Sequence, residues 1–333
     1  MTSRGEKDRQ WRGALDLPTF ALPLAFTFFT CGIAGYFGKI NLIAMLLMAL
    51  TCICLQLVNN VGRLLGDKLG RERAKNEYYE RKFAQYKNTG NSLDPFAGTA
   101  GDLQTMNLKS MFLVSIAMSL VMGFGLITSC TDVDDISMKI IAMCVIVVVT
   151  FLIALRYMGT WSYGYRVYGN IFVFLIFCGC EIGGFYLLTG SFLVPVIYPA
   201  IGVGALAVAV ANMNDIYYEK EDADLEQTDH PRRTVPIAAG INGAFMLQIV
   251  SEVLAMIWLA SFPVVMGSTF IWNYAFILFY IPLISDIVAL RKSGPSDIPR
   301  LRTTLAISTI LLSIAFLLGI AGSNLGALFA FVI

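Results

Sequence analysis

Charged residues are scarce in this sequence. Only 14% of its 333 residues are Asp, Glu, Lys or Arg, whereas 57% are hydrophobic, and the mean hydropathy is +0.69. Soluble domains carry charge on roughly a quarter of their residues, because their surface faces water. The composition therefore excludes an ordinary soluble protein and predicts a chain embedded in lipid. The net charge of +1 gives no support for a nucleic-acid partner, and none is expected.

A disulfide framework is also missing. Of the seven cysteines, only Cys130 lies clearly in a predicted outside loop. The Cys-x-Cys spacing places the two thiols of a pair on different faces of a helix, which is a poor arrangement for binding a metal. We expect all of them to be packing residues, including the four that lie in apolar runs: Cys52, Cys54, Cys178 and Cys180.

Long apolar runs dominate the chain. A helix needs roughly 20 apolar residues to cross the hydrocarbon core of a bilayer, and the sequence offers nine such stretches. The first has no small-residue cleavage site, so we expect it to remain as a helix and not to be removed as a signal peptide. The predicted spans are 18–37, 40–60, 108–128, 138–155, 170–189, 192–213, 240–263, 268–290 and 303–330.

The distribution of basic residues predicts the orientation. With the amino terminus inside, all of the 24 Lys and Arg residues except Lys39 and Lys139 fall on the cytoplasmic side. One missed span would invert every later loop, so this asymmetry supports nine spans. We expect a single integral membrane domain over 1–333, in a bacterial inner membrane, with a cytoplasmic tail over 1–17 and two cytoplasmic cap loops over 61–107 and 214–239.

Polar clusters end two of the apolar spans on that side. The first contains Asn59, Asn60, Arg63 and Asp67. The second contains Asn212, Asp215 and Glu219, which lie on one face if the helix continues. Burying carboxylates near lipid costs roughly 2.5 to 3.5 kcal/mol each on insertion scales, so a compensating cation is expected.

Magnesium diphosphate suits the chemistry of these clusters. Mg²⁺ takes oxygen ligands and usually binds through one or two carboxylates together with substrate phosphates. Basic residues for the phosphate oxygens follow the second cluster: Lys220, Arg232 and Arg233. The alternative is that these are only polar helix ends with snorkelling lysines. Two matching clusters about 150 residues apart favour the divided site.

At these residues the chain resembles the UbiA-type membrane prenyltransferases, and in particular the branch that prenylates 1,4-dihydroxy-2-naphthoate in menaquinone synthesis. Members of that family resemble nine-helix membrane proteins. They carry the motif N-D-x-x-D-x-x-x-D after the second helix and the motif N-x-x-D-x-x-x-D after the sixth. Asn212, Asp215 and Glu219 match the second motif, with glutamate in place of the last aspartate. The stretches 163–174, 186–191 and 232–237 are also similar to the naphthoate branch.

The resemblance implies an all-α fold with a central cavity that opens on the cytoplasmic side. It also implies a polyprenyl diphosphate and an aromatic acceptor as substrates, Mg²⁺ as cofactor, and membrane lipid around the protein. The residues expected to act as catalytic metal ligands are Asp67, Asp215 and Glu219, assisted by the amides of Asn59 and Asn212. The diphosphate is expected at Lys220, Arg232 and Arg233, and the acceptor near Tyr163, Tyr165 and Arg166.

The first motif departs from the family pattern. Asn60 and Arg63 stand where two aspartates are usual. An amide oxygen can still coordinate a cation, whereas Arg63 repels a cation and is suited to a diphosphate oxygen. Two alternatives remain open at this point: a paralogue that has another acceptor or weakened catalysis, and a secondary transporter.

Intramembrane carboxylates are what a transporter would use. Glu181 and Glu252 lie within apolar spans, and each has either a functional role or a packing role. Structural pairing is expected for Asp286.

Overall fold

A computed structural model describes residues 16–39, 41–87, 102–130, 136–158, 162–219, 223, 232–290, 292 and 297–322, without the side chains of 70–87 and 102–106. In these ranges, nine segments are long and apolar enough to cross a membrane, which confirms the predicted number of spans. The α-helices are α1 (Ala21–Tyr36), α2 (Leu42–Lys87), α3 (Asp102–Ser129), α4 (Ile136–Leu155), α5 (Gly169–Thr189), α6 (Ile197–Tyr217), α7 (Val235–Val265), α8 (Tyr280–Leu290) and α9 (Ile298–Ala321). Short 3₁₀ segments precede several of them: Leu17–Phe20, Tyr163–Tyr165, Val194–Val196 and Ile271–Phe279.

Helix α2 extends far beyond the membrane. Its 46 residues rise about 69 Å, roughly twice what a bilayer core requires. The apolar first half spans the membrane. The second half is rich in Arg, Lys, Glu and Ala and contains no proline, so nothing in it interrupts the helix. The segment 61–107, predicted as a loop, is therefore helical as far as Lys87.

The second predicted loop, 214–239, is also partly helical. Helix α6 continues through Asp215 to Tyr217, and α7 already begins at Val235 with a proline in its first turn. Gly240 interrupts α7 with a φ of 73°, which residues with a side chain rarely adopt. The first turn of α7 is thereby set at an angle to the rest of the helix.

Helices α1 and α6 form the centre of the bundle, and 72% of each apolar segment is buried. Helix α1 packs against α2, α5, α6 and α9, and α6 packs against α5 and α7. Helix α4 packs on α2 and α3 at the periphery, with only 11% of its apolar segment buried. Lipid therefore covers most of α4.

A cavity of about 270 Å³ lies between α4 and α5, against α1 and α2. Its wall is apolar and includes Phe26, Met48, Cys52, Ile141 and Phe177. Asn59 and Arg156 lie at one end, and Tyr186 and Phe192 lie at the other. Ile141 is 54% exposed although it lines the cavity, so this side of the cavity is open towards lipid.

Candidate active site

Four segments meet where α2 leaves the apolar part of the bundle, and we call this region the polar mouth. It consists of residues 59–67 of α2, residues 156–158 and 162–168 between α4 and α5, residues 212–219 at the end of α6, and residues 232–234 before α7. The ends of α2 and α6 meet here, because Arg63 of the first predicted cluster contacts Tyr218, which lies between Asp215 and Glu219 in the sequence. Lys220 lies outside the described residues.

Asp67 is the centre of the first cluster. Its Oδ1 accepts a hydrogen bond from the hydroxyl of Tyr165 and another from Nη1 of Arg232, both at 2.6 Å. The guanidinium of Arg63 lies one turn earlier on α2, with its Nε 3.9 Å from Oδ2 of Asp67. Two guanidinium groups and a hydroxyl are thereby assembled around one largely buried carboxylate.

Aromatic rings fix both arginines of this cluster. The guanidinium carbon of Arg232 lies 3.8 Å from the ring centre of Tyr165, and that of Arg63 lies 3.8 Å from the ring centre of Tyr218. A guanidinium on an aromatic face keeps its in-plane N–H groups directed outward, where they can donate to an anion. Both arginines are buried, so their orientation is restricted by packing as well.

Backbone pairing places Tyr165 beside Arg232. The amide of Arg233 donates to the carbonyl oxygen of Tyr165 at 2.8 Å, within a short parallel bridge between Arg166 and Arg233. Burial, together with the charge of Asp67, raises the pKa of Tyr165 well above its usual value, so the hydroxyl remains protonated and can donate. Neither Arg166, half-buried, nor Arg233, exposed, lines the cavity.

Tyr163 and Arg156 link the polar mouth to the cavity, because both belong to the mouth and both line the cavity. The Tyr163 hydroxyl donates to the carbonyl oxygen of Leu152 at 2.9 Å, and burial raises its pKa to about 12. Nη1 of Arg156 donates to Oδ1 of Asn59 at 3.2 Å, while its Nε is buried with no hydrogen-bond partner among the described residues. Arg156 therefore joins Asn59 of α2 to the wall of the cavity.

Asn60 has a packing role in this structure. Its Oδ1 accepts from Nε2 of Gln56 at 2.8 Å, and its Nδ2 donates to Oγ1 of Thr19 at 2.9 Å. These contacts join α2 to the segment that leads into α1. The asparagine that replaces the usual aspartate is thus already occupied on both sides of its amide.

The second cluster lies across the mouth on α6. Asn212 and Asp215 are buried one turn apart, and Glu219 is half-buried just beyond the end of the helix. Nδ2 of Asn212 donates to the carbonyl oxygen of Ala244 and to Gln248, whereas its Oδ1 is buried without a hydrogen-bond partner among the described residues. An unsatisfied buried carbonyl oxygen beside a carboxylate suits a divalent cation.

The two clusters differ in their fitness for a metal. In the part of the chain that the structure describes, no three His, Cys, Asp or Glu side chains are grouped to hold a metal ion. Mg²⁺ needs only one or two carboxylates when substrate phosphates complete its coordination, and Asn212, Asp215 and Glu219 satisfy that requirement. Asp67 is bonded to Tyr165 and Arg232 and has the guanidinium group of Arg63 beside it, so its surroundings are cationic.

Several residues of the mouth were missed in the sequence. Arg302 of α9 donates through Nε to Oδ1 of Asn214 at 2.6 Å and also pairs with Asp16. Tyr218, whose pKa is raised to about 12 by burial, donates to Asp16 at 3.4 Å. The sequence offered one signal for Arg302, which is its place at the start of an apolar helix. Its partners could not be predicted, because they are about 90 and 290 residues away in sequence.

The intramembrane carboxylates lie within the packing. Glu181 is fully buried and accepts a hydrogen bond from Thr30 of α1 at 2.9 Å, which favours a packing role between α5 and α1. Asp286 accepts from Ser308 at 3.1 Å, consistent with the structural pairing that was expected. All seven cysteines are free thiols, so no disulfide is formed.

Gly66 allows α2 to approach the polar mouth. A Cβ at this position would collide with the carbonyl oxygen of Tyr157 and would also lie 3.1 Å from the hydroxyl of Tyr165. We expect Gly66→Ala to lower the free energy of unfolding by about 1 to 3 kcal/mol, because backbone cannot yield as a flexible side chain does. Thermal unfolding in detergent micelles measures this.

Gly125→Ala is the matched control, because its Cβ would meet only Leu47 at an ordinary 3.8 Å. We expect that variant to be as stable as the unmodified protein. Equal stability of both variants would show that the contact between α2 and Tyr157 is not close.

The sequence was compared with protein families and with curated proteins. The chain matches no protein-family model. It is 27% identical, over 326 residues, to 1,4-dihydroxy-2-naphthoate octaprenyltransferase of Haemophilus influenzae, and the match covers 95% of this chain and 96% of that protein. This similarity supports the resemblance to the UbiA-type prenyltransferases noted in the sequence. The similarity therefore extends over nearly the whole length of both chains.

Proposed function

We propose that this protein is a UbiA-type prenyltransferase that transfers a polyprenyl group from its diphosphate to 1,4-dihydroxy-2-naphthoate in menaquinone biosynthesis. One observation carries the proposal: an apolar cavity is lined at one end by Asn59, which lies one turn of α2 before the buried Arg63 and two turns before Asp67, the carboxylate that Arg232 also binds. A polyprenyl diphosphate has a matching form, with an anionic head and an apolar tail. The relative from Haemophilus influenzae supports the choice of acceptor.

The cavity supplies the tail site. Its wall between α4 and α5 is apolar and open towards lipid, so a tail longer than the cavity can continue into the bilayer. Asn59 and Arg156 mark the end where the head group would lie. This arrangement holds the reactive allylic carbon near the mouth and away from bulk water.

The first cluster supplies donors for the diphosphate. Arg63 and Arg232 are held by Asp67 and by the rings of Tyr218 and Tyr165, with N–H groups preorganised for phosphate oxygens. In this proposal Asp67 orients the arginines and is not a metal ligand, which differs from the role predicted from the sequence. Arg233 and Lys220 remain candidates for additional phosphate contacts.

The second cluster supplies the metal ligands. Asn212, Asp215 and Glu219 would hold Mg²⁺, which neutralises diphosphate charge when bound. The allylic C–O bond then breaks, and its electron pair leaves with the diphosphate. The ring carbon that bears the acceptor's carboxylate forms the new C–C bond, and that carboxylate is released as CO₂.

The acceptor site is proposed beside Arg156 and Tyr163. Both line the cavity next to Asn59, and the guanidinium group of Arg156 is suited to the acceptor's carboxylate. Tyr165 and Arg166, the other residues predicted for the acceptor, lie farther along the same connection. Tyr165 is bonded to Asp67, so we assign it to the diphosphate side.

Arg156→Gln tests this acceptor site. We expect kcat/KM for the naphthoate to fall about 10- to 100-fold, the usual worth of a hydrogen bond to a charged group, while the KM for the diphosphate changes little. Steady-state kinetics with each substrate varied in turn measures both. A larger acceptor defect in Arg166→Gln than in Arg156→Gln would return the acceptor role to Arg166.

The orientation and location belong to the same proposal. The polar mouth would face the cytoplasm, with the amino terminus on the same side, because nearly all Lys and Arg residues lie there. The membrane would be the bacterial inner membrane. A secondary transporter is less favoured. Transporters bind their substrates at helices that are broken near the middle of the membrane. Here Gly240 breaks α7 close to the end of the helix, five residues after Val235 and next to the mouth.

An acceptor panel tests the function. The purified protein in lipid receives a labelled polyprenyl diphosphate, Mg²⁺, and either 1,4-dihydroxy-2-naphthoate or another aromatic acid such as 4-hydroxybenzoate. We expect labelled lipid product with the naphthoate and little with the other. Transfer to the other acid alone would identify a paralogue with a different acceptor, and no transfer to either by folded protein would contradict prenyl transfer.

A further inference from the structure

A chain of three buried polar groups connects the second motif to the middle of α7. Nδ2 of Asn212 donates to Oε1 of Gln248 at 3.0 Å, and Nε2 of Gln248 donates to Oε1 of Glu252 at 2.7 Å. The three side chains are at most 1% exposed. Ala244, Gln248 and Glu252 follow one another at intervals of four residues, so they form a single stripe along the face of α7 that meets α6.

The direction of these hydrogen bonds is fixed from the deep end. The Oε1 atom of Glu252 accepts, as a carboxylate oxygen or the carbonyl oxygen of a neutral carboxyl group does, and Gln248 presents its N–H₂ group to it. The carbonyl oxygen of Gln248 then faces Asn212, which must in turn present its own N–H₂ group. The second hydrogen of that group meets the carbonyl oxygen of Ala244 at 2.8 Å.

These hydrogen bonds determine the direction in which Oδ1 of Asn212 points. Because both N–H bonds of its amide are used by α7, the trigonal geometry directs Oδ1 away from those acceptors. This oxygen is buried and has no hydrogen-bond partner among the described residues. With the amide reversed, N–H groups would lie in its place, and these repel a cation.

We propose that Gln248 and Glu252 are positioning residues that lock the Asn212 amide with its oxygen offered to the divalent cation beside Asp215. The inference rests on the proposed function, since the cation belongs to the diphosphate site. It also gives Glu252 a role: the carboxyl group sets the direction of the relay and touches no substrate. At other metal sites, removing a residue that orients a metal ligand lowers metal affinity about 10- to 100-fold.

Binding of Mn²⁺ tests the relay without turnover. The full-length protein in detergent is titrated with Mn²⁺ in the presence of inorganic pyrophosphate and without acceptor, and bound metal is measured by electron paramagnetic resonance. We expect Gln248→Leu to raise the Kd for Mn²⁺ about 10- to 100-fold, because it removes one of the two acceptors that orient the Asn212 amide. Asp215→Asn is expected to abolish protein-dependent binding.

Gln248→Glu separates positioning from packing. A carboxylate at 248 still accepts from Asn212, so we expect an Mn²⁺ affinity close to that of the unmodified protein. It also places two carboxyl groups together in the membrane, so its melting temperature is expected to fall. A merely structural role predicts that affinity follows stability in both variants.

Gln56→Leu is the matched control at the first motif, since Gln56 donates to Asn60 in a similar amide pair. We expect it to leave Mn²⁺ affinity unchanged. The inference is overturned if Gln248→Leu binds Mn²⁺ as the unmodified protein does, or if Gln248→Glu loses as much affinity as Gln248→Leu. If the unmodified protein binds no Mn²⁺ with pyrophosphate, the proposed function fails together with the relay.

Discussion

Replacing Asp215 with asparagine is expected to lower the magnesium-dependent kcat/KM for the polyprenyl diphosphate by about 10³-fold or more. Asp215 is the buried carboxylate of the second motif, one turn from the unsatisfied oxygen of Asn212. Loss of a metal that neutralises the leaving diphosphate removes several kcal/mol of transition-state stabilisation, and about 4 kcal/mol corresponds to three decades in rate. Initial rates at several Mg²⁺ concentrations measure the effect.

Asp297→Asn is the matched control for that variant. Asp297 is an exposed carboxylate before α9, on the same side of the membrane as the mouth. We expect it to leave both the rate and the magnesium dependence unchanged. Equal activity of Asp215→Asn and the unmodified enzyme would exclude the second motif as the metal site.

Arg232→Gln is expected to lower kcat/KM for the diphosphate about 100-fold. The variant removes a guanidinium that is held by Asp67 and by the Tyr165 ring, and a hydrogen bond to a charged group is worth about 1.5 to 3 kcal/mol. Kinetics with the diphosphate varied measures the loss. Arg300→Gln, a substitution of an exposed arginine on α9, is the control and should have no effect.

Asp67→Asn decides between the two roles of this carboxylate. If Asp67 orients Arg63 and Arg232, the variant should retain the magnesium concentration for half-maximal rate within about twofold, because its metal site is intact. A shift of the magnesium requirement as large as that in Asp215→Asn would instead make Asp67 a metal ligand, as predicted from the sequence. The same titration series serves for both variants.

The fold was largely predictable, because a helix that crosses the bilayer must be apolar over most of its length. Each span requires about 20 apolar residues, and the asymmetry of Lys and Arg independently supported nine of them. What the apolar pattern did not report is helix beyond the membrane. Residues 61–87 of α2 are rich in charged side chains, so hydropathy ended the predicted span at residue 60 although the helix continues to Lys87.

The site was predictable only as far as its motifs are local. Asp215 and Asn212 are three residues apart, so helical spacing alone places them on one face. The partner of Asn212 is Gln248, and the partner of Asp67 is Arg232, 165 residues away. Such contacts depend on how helices and loops meet in three dimensions, and the sequence gives no spacing rule for them.

Arg63 illustrates the same limit. In the sequence it marks a departure from the family's aspartate and suggests a weakened metal site. In the structure its guanidinium stacks on Tyr218 and faces Asp67, so the substitution replaces a ligand for cations with a donor for anions. The departure is therefore compatible with catalysis when the second motif holds the metal.

The most direct measurement is product analysis after incubation of the purified protein, in lipid vesicles, with a polyprenyl diphosphate and 1,4-dihydroxy-2-naphthoate, with Mg²⁺ or with a chelator in its place. Mass spectrometry of the lipid extract should show the naphthoquinol carrying one prenyl chain and lacking the carboxylate. That product should form only with Mg²⁺. Folded protein that forms no prenylated product under these conditions would contradict the proposed function.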